Sequence, residues 1–405
     1  MIEKRNVMDS NKISRSTNSS YMQIGGVNWN FSDKIYYKLT GHVVESNYRP
    51  IISIYVKKLP KIIPNKNLFG LFWNIPTFKD TDSNYLFHIY DKEDFDYVVS
   101  TSSGNTVEGM ARAIKNFNKT RNKNIYAILL VPQVSAYKVS KRVIESNPYV
   151  KYIVIKNSTL DDVRNIAKKL IKRLSYNYRV ISATNNIKTA AYAQIGLVLN
   201  KYNLMNSDAC YVQTVSGGVG PAGLIESAYQ LNKNPEIIIV QPFNGKSTPI
   251  VDALNTHSQG KDPLSIFNHG NYGISSIEPT LGSSRPIYAI NKFVRWRESG
   301  GRILPTRVTE EEIYQYRNKI LNVLIKEKIY PNKEIGLKLF NLEKSGFIAF
   351  IGAICSAKNV KAENIIVNFT GRYLDPNLTV PSAAIPNIYH YPTDNLKELL
   401  RKLNI

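Results

Sequence analysis

From Tyr97 onward, short aliphatic runs take turns with longer amphipathic stretches, and this alternation leaves few folds open. Tyr97-Val-Val-Ser reads as a buried strand. A Ser-Ser-Gly-Asn-Thr turn follows at Ser102 to Thr106, and Val107 to Asn116, with Glu108 in its first turn, reads as a helix. Asn124 to Val131 is a second strand, ended by Pro132, and Ala136 to Ser146 a second helix. Val150 to Ile155 is a third strand. Thr159 to Leu174 then carries Val163, Ile166, Ala167, Leu170 and Ile171 on one helical face, with Asp161 and Asp162 near its start. Ala209 to Val215, Glu236 to Val240 and Asn364 to Phe369 are apolar enough for fully buried parallel strands of a second, larger sheet. The expected class is α/β, with two domains built on parallel-rich sheets flanked by helices. Residues 85–200 would form the smaller domain, 26–84 with 201–405 the larger, and 1–25 a loosely attached tail.

A length of 405 residues, 43% of them hydrophobic, is enough for two such cores. Two cysteines, Cys210 and Cys355, exclude a disulfide framework and any cysteine-built zinc site, and no metal is expected. Runs such as Ile125 to Val131 fall short of the roughly 20 residues a membrane span needs. The first residues lack the apolar core of a secretory signal, so a cytoplasmic protein without a membrane partner is expected. The net charge of +22 comes from 53 Lys and Arg scattered against 31 Asp and Glu, with no basic stripe. That pattern suits attraction of anionic substrates better than a nucleic-acid partner. Between His257 and Pro305 a long stretch rich in Gly, Ser, Asn and Pro reads as a functional loop.

Three motifs carry chemistry. Lys79, in Thr77-Phe78-Lys79-Asp80, follows an apolar and aromatic stretch, where desolvation would lower an amine's pKa and favour it as nucleophile and base. Ser216-Gly217-Gly218-Val219-Gly220-Pro221-Ala222-Gly223 links a strand to a helix, so its amides can face a phosphate. Thr370-Gly371 ends the last buried strand, placing a hydroxyl at the carboxyl edge of the sheet, where α/β proteins bind ligands. A lysine amine, an amide cradle for a phosphate and a partner for a ring nitrogen are what pyridoxal phosphate requires.

In order and kind, Lys79, Ser102 to Thr106, the glycine turn and Thr370-Gly371 resemble the fold-type II pyridoxal phosphate enzymes. This is the tryptophan synthase β-subunit superfamily, which includes threonine synthase and cysteine synthase. The resemblance covers roughly Phe69 to Asp375. It implies Lys79 as the Schiff-base lysine, Asn105 as a partner of the cofactor's ring oxygen, and Gly217, Gly218, Val219 and Gly220 as the phosphate cradle. It further implies Ser102, Ser103 and Thr106 around the substrate carboxylate and Thr370 at the pyridine nitrogen. A neutral hydroxyl there would leave that nitrogen unprotonated. Two departures stand out: Thr81 follows Asp80 where many relatives have arginine, and Pro221 removes one amide donor from the glycine turn.

Within the family, Ser284 to Ile290, Gly300-Gly301-Arg302, Gln241-Pro242-Phe243 and Val367 to Gly371 are similar to the cysteate synthase pattern, with threonine synthase next. The first implies β-replacement on O-phospho-L-serine, with sulfite or another nucleophile. The second implies elimination and water addition on O-phospho-L-homoserine. Lys138, Asn185, Lys188 and Arg285 are candidates for the leaving phosphate, and His269 and Tyr272 for the pocket wall. The family also implies a homodimer. A catalytically silent relative that uses the fold for binding remains the alternative.

Overall fold

The computed structural model describes residues 21–28, 51–73, 79–91, 93–102, 104–139, 144–201, 203–245, 248–268, 277–278, 281, 283, 285–370 and 387–405. The tail at 1–20, Thr77-Phe78, Ser103, His269, Tyr272 and Gly371 lie outside them. The strands are β1 (Tyr21–Asn28), β2 (Ile51–Leu59), β3 (Asn67–Trp73), β4 (Tyr97–Thr101), β5 (Tyr126–Pro132), β6 (Val150–Lys156), β7 (Val180–Ile181), β8 (Ala209–Thr214), β9 (Glu236–Phe243), β10 (Ile303–Thr309), β11 (Asn364–Asn368) and β12 (Ile388–His390). The helices are α1 (Asp80–Ile89), α2 (Asn105–Arg121), α3 (Leu160–Leu174), α4 (Asn185–Lys201), α5 (Val219–Leu231), α6 (Pro249–Ser258), α7 (Ile287–Glu298), α8 (Glu310–Lys326), α9 (Lys333–Leu342), α10 (Ser345–Ser356) and α11 (Leu396–Leu403).

Two sheets organise these elements. A seven-stranded sheet runs β1-β2-β3-β11-β8-β9-β10, and a five-stranded one runs β12-β6-β5-β4-β7. Every pairing is parallel except β1 with β2 and β2 with β3. The two-residue period of a strand sends its side chains alternately into two cores. Ile237 and Ile239 enter one core and Ile238 and Val240 the other. In the smaller sheet Ala127, Leu129 and Val131 enter one, and Ile128 and Leu130 the other. Strands buried on both faces must be apolar throughout, which is why these runs are recognisable.

Three expectations need correction. Ala136 to Ser146 is not one helix: Gln133–Lys138 is a 3-10 turn, and 140–143 lie outside the described residues. The stretch after His257 is not all loop, because Ile287–Glu298 is a helix that buries Ala289, Ile290, Phe293 and Trp296 on one face. The end of the chain does not stay with the larger sheet. Ile388–His390 pairs in parallel with Val154 to Lys156 of the smaller one, and Leu399 and Leu403 of α11 pack into that lobe's core.

Helix α4 belongs to both lobes. Ile187, Ala190 and Ala191 face the smaller lobe's core, and Tyr192, Ile195 and Leu199 the larger's, so it is apolar on more than one side as a buried helix must be. Its approach to α5 is set by glycine. A Cβ on Gly223 would lie 2.6 Å from the Tyr192 Cβ and 2.8 Å from both the Ala193 nitrogen and the Thr189 oxygen. Among the described residues no single helix is long and apolar enough to cross a membrane; α9 with the stretch from Ser345 passes by composition only as a pair bent by 94°. Most of α10 is buried in the larger core.

Because two of the three atoms facing Gly223 are backbone and cannot swing aside, Gly223→Ala is expected to cost about 1–3 kcal/mol. A urea titration should show a lower midpoint at unchanged slope. Gly217→Ala, whose Cβ meets nothing within 4 Å, should leave the midpoint in place.

Candidate active site

The carboxyl ends of β4, β8 and β11 open onto one cavity of about 350 Å³ between the lobes. Its lining includes the first residues of α2, α4, α5, α7 and α10: Asn105, Asn185, Val219, Ile287 and Ser345. The amides of a helix's first turn have no intrahelical partner and carry the positive end of its dipole, so such starts favour an anion nearby. Lys79, Arg164, Lys188 and Arg285 line the same space.

Lys79 immediately precedes α1, as its N-cap. Its place is fixed through the backbone. A Cβ on Gly109 of α2 would lie 2.9 Å from the Lys79 carbonyl oxygen, so only glycine allows the two helices this close. Arg112 of α2 then grips Asp80 with two bonds, Nε to Oδ1 at 2.7 Å and Nη2 to Oδ2 at 2.8 Å. Asp80 thus takes its guanidinium partner from a neighbouring helix, although no arginine follows it in sequence. The Lys79 amine donates to the Tyr192 hydroxyl at 3.0 Å. Burial pushes its pKa down, against the opposing pull of Asp82 and Glu343. Asp82 is held above the usual carboxylate range by burial, although Lys79 and Lys188 oppose this. Burial, then Asp82, pushes the Tyr192 hydroxyl well up, so it stays a protonated donor.

Lys188 lies one turn before Tyr192 on the same face of α4. Burial, with Lys79 and Arg164 nearby, lowers its pKa to about 8 despite Asp82. Arg164 of α3 bonds Asp161 at 2.8 Å and the Ser283 hydroxyl at 3.3 Å. Arg285 is exposed at the rim, over the Phe267 ring at 5.4 Å.

The expected loops are brought together. Ser102 accepts the Gly104 amide at 3.0 Å, Gly104 takes φ 121°, and Asn105 and Thr106 open α2 toward the cavity. On the larger lobe, Gly218 takes φ 73° just before α5, and Ser216, Gly217, Gly218, Val219 and Gly220 all line the cavity. Pro221 falls within the first turn, where its missing amide breaks no helical bond. Thr370 lines the cavity just beyond β11.

Lys138 is displaced from its expected role. It does not line the cavity; its buried amine bonds Glu278 at 2.8 Å and lies 3.9 Å from Glu343. Burial alone would lower its pKa, yet these two carboxylates outweigh burial and raise it. Glu343, which the motif reading passed over, is the centre of this wall: it accepts from Asn105 Nδ2 at 2.5 Å and from Ser345 Oγ at 2.7 Å. The signal for it was faint, an acidic residue two before the most apolar helix. Nothing in the sequence marked Arg164, on the polar side of an amphipathic helix, or Tyr192.

These residues suit pyridoxal phosphate. An amine of lowered pKa projects into the cavity, and Gly217 leaves open space where a side chain would intrude on a phosphate. A hydroxyl waits at the end of the central strand.

No protein-family model and no curated sequence matches the chain. Solved structures do. A pyridoxal 5'-phosphate-dependent aspartate racemase superposes with a TM-score of 0.56 at 14% identity, covering 84% of this chain and 94% of that one. Maize serine racemase gives 0.56 at 15%, covering 86% and 95%. The processed form of threonine deaminase isoform 2 from Solanum lycopersicum gives 0.55 at 16%, covering 88% and 94%. At such identities the likeness is one of architecture, and by that measure the chain has the two-domain α/β fold of the fold-type II pyridoxal phosphate enzymes.

Proposed function

We propose that the protein is a pyridoxal phosphate-dependent enzyme acting on an amino acid, and that its substrate carries a phosphate leaving group, O-phospho-L-serine first and O-phospho-L-homoserine second. One observation carries the reading: a lysine amine kept at lowered pKa shares a cavity with a glycine cradle and with three further cations. Lys79 would hold the cofactor covalently, Gly217 to Gly220 its phosphate and Thr370 its ring nitrogen. The cofactor, when bound, supplies the electron sink that makes the substrate's α-proton removable.

The rest falls to the chain's own groups. Lys79, as a free amine, would take the α-proton, and its lowered pKa favours the unprotonated base. Tyr192 orients it through the 3.0 Å bond. Ser102 and Thr106, which line the cavity at the start of α2, would hold the substrate carboxylate, with Ser103, outside the described residues, as the third hydroxyl that the resemblance implies. Lys188, Asn185, Arg164 and Arg285 are the donors for a second phosphate, beyond the one the glycine turn would hold. The second reading is racemisation or deamination of an unphosphorylated amino acid, which the activities named for the similar structures favour.

Adding pyridoxal phosphate should produce a visible band and a borohydride-fixed adduct on Lys79. O-phospho-L-serine or O-phospho-L-homoserine should then convert the band with release of phosphate. Conversion of serine, threonine or aspartate without phosphate release selects the second reading, and absence of any band rejects both. Lys79→Ala should remove the adduct and lower turnover at least about 100-fold. Affinity for inorganic phosphate, by calorimetry, should fall as pH rises through about 8, because Lys188 is a cation below that value and neutral above it. Lys188→Met should flatten that dependence.

A further inference from the structure

The hydroxyl expected at the ring nitrogen is not free to choose its role. Ser345 Oγ lies 2.7 Å from Glu343 Oε1, a length that requires a hydrogen between the two oxygens. Glu343 is surrounded by donors: the Asn105 amide on Oε2 at 2.5 Å, Ser345 on Oε1, and the Lys138 ammonium 3.9 Å from Oε1. A carboxylate in such company is an acceptor, so the single proton of Ser345 points at Glu343. The next contact, Ser345 Oγ to Thr370 Oγ1 at 3.0 Å, therefore has one possible direction. Thr370 donates and Ser345 accepts, which leaves Thr370 only lone pairs to offer to the cavity it lines.

We propose that Thr370 meets the ring nitrogen of pyridoxal phosphate as an acceptor and so holds that nitrogen protonated. This rests on the cofactor reading above and reverses the expectation that a neutral hydroxyl leaves the ring uncharged. The electrostatics of the wall point the same way. Glu343 lines the cavity on this side, one hydroxyl away from Thr370 through Ser345. A pyridinium beside it is favoured over a neutral pyridine. An unprotonated ring would have to turn the Thr370 proton away from Ser345, leaving a buried acceptor without its donor. A protonated ring is also the stronger electron sink.

The test uses the full chain loaded with pyridoxal phosphate labelled with nitrogen-15 in the ring, with attachment to Lys79 verified by borohydride reduction and peptide mass. At neutral pH the ring nitrogen of the wild type should resonate in the pyridinium range. Ser345→Ala, which returns the proton to Thr370, should move it to the unprotonated range, and Thr370→Val, which removes the acceptor, should do the same. An unprotonated signal from wild type with the Lys79 adduct intact overturns the proposal and leaves the cofactor reading standing. A pyridinium signal that survives in both variants overturns it too, because protonation would then not depend on this chain of hydroxyls. Absence of the adduct removes the cofactor reading and the proposal together.

Discussion

Helix starts converging on one cavity set an electrostatic demand that the surrounding residues answer. Positive dipole ends and the cations Lys79, Arg164, Lys188 and Arg285 would repel one another across about 350 Å³ if nothing offset them. The offset is internal. Asp80 is paired with Arg112, Asp82 lies beneath Lys79 and Lys188, and Glu278 and Glu343 hold Lys138. Of these carboxylates only Glu343 lines the cavity, beside the four lining cations, while Asp80, Asp82 and Glu278 are buried outside its lining.

The same pairings join the lobes. Lys138 and Asn105 come from the smaller lobe, Glu278 and Glu343 from the larger, and their contacts cross the gap at the cavity wall. Buried ion pairs of this kind contribute little net stability, but breaking one partner strands the other. They therefore serve to fix one relative placement of the two sheets more than to add strength. Helix α4 does the apolar half of this work by burying residues in both cores.

What the chain discloses in one dimension is what depends on neighbours in sequence. Strands β4, β5, β6, β8, β9 and β11 show as aliphatic runs because burial on both faces forbids polar alternation, and the turns after β4 and β8 show because Gly104 and Gly218 need positive φ. Glu343, Tyr192 and Arg164 do not show, because each is placed by packing between distant segments and each is common on a helix. Lys138 misleads for the same reason: nothing near it in sequence reveals Glu278, and without that partner a buried lysine looks like a free one. Strand β12 is hidden as well, since three residues pair only because β6 offers them an open edge.

The tie between Asp80 and Arg112 has a mechanical consequence. Lys79 follows β3 of the larger sheet in sequence, yet its carbonyl lies against Gly109 and the adjacent Asp80 is bonded by Arg112, both on α2, which packs into the smaller lobe's core. The glycine turn is anchored to β8 in the larger one. The Lys79 backbone and the glycine turn are thus held by different sheets, so the distance between them depends on the angle between the lobes.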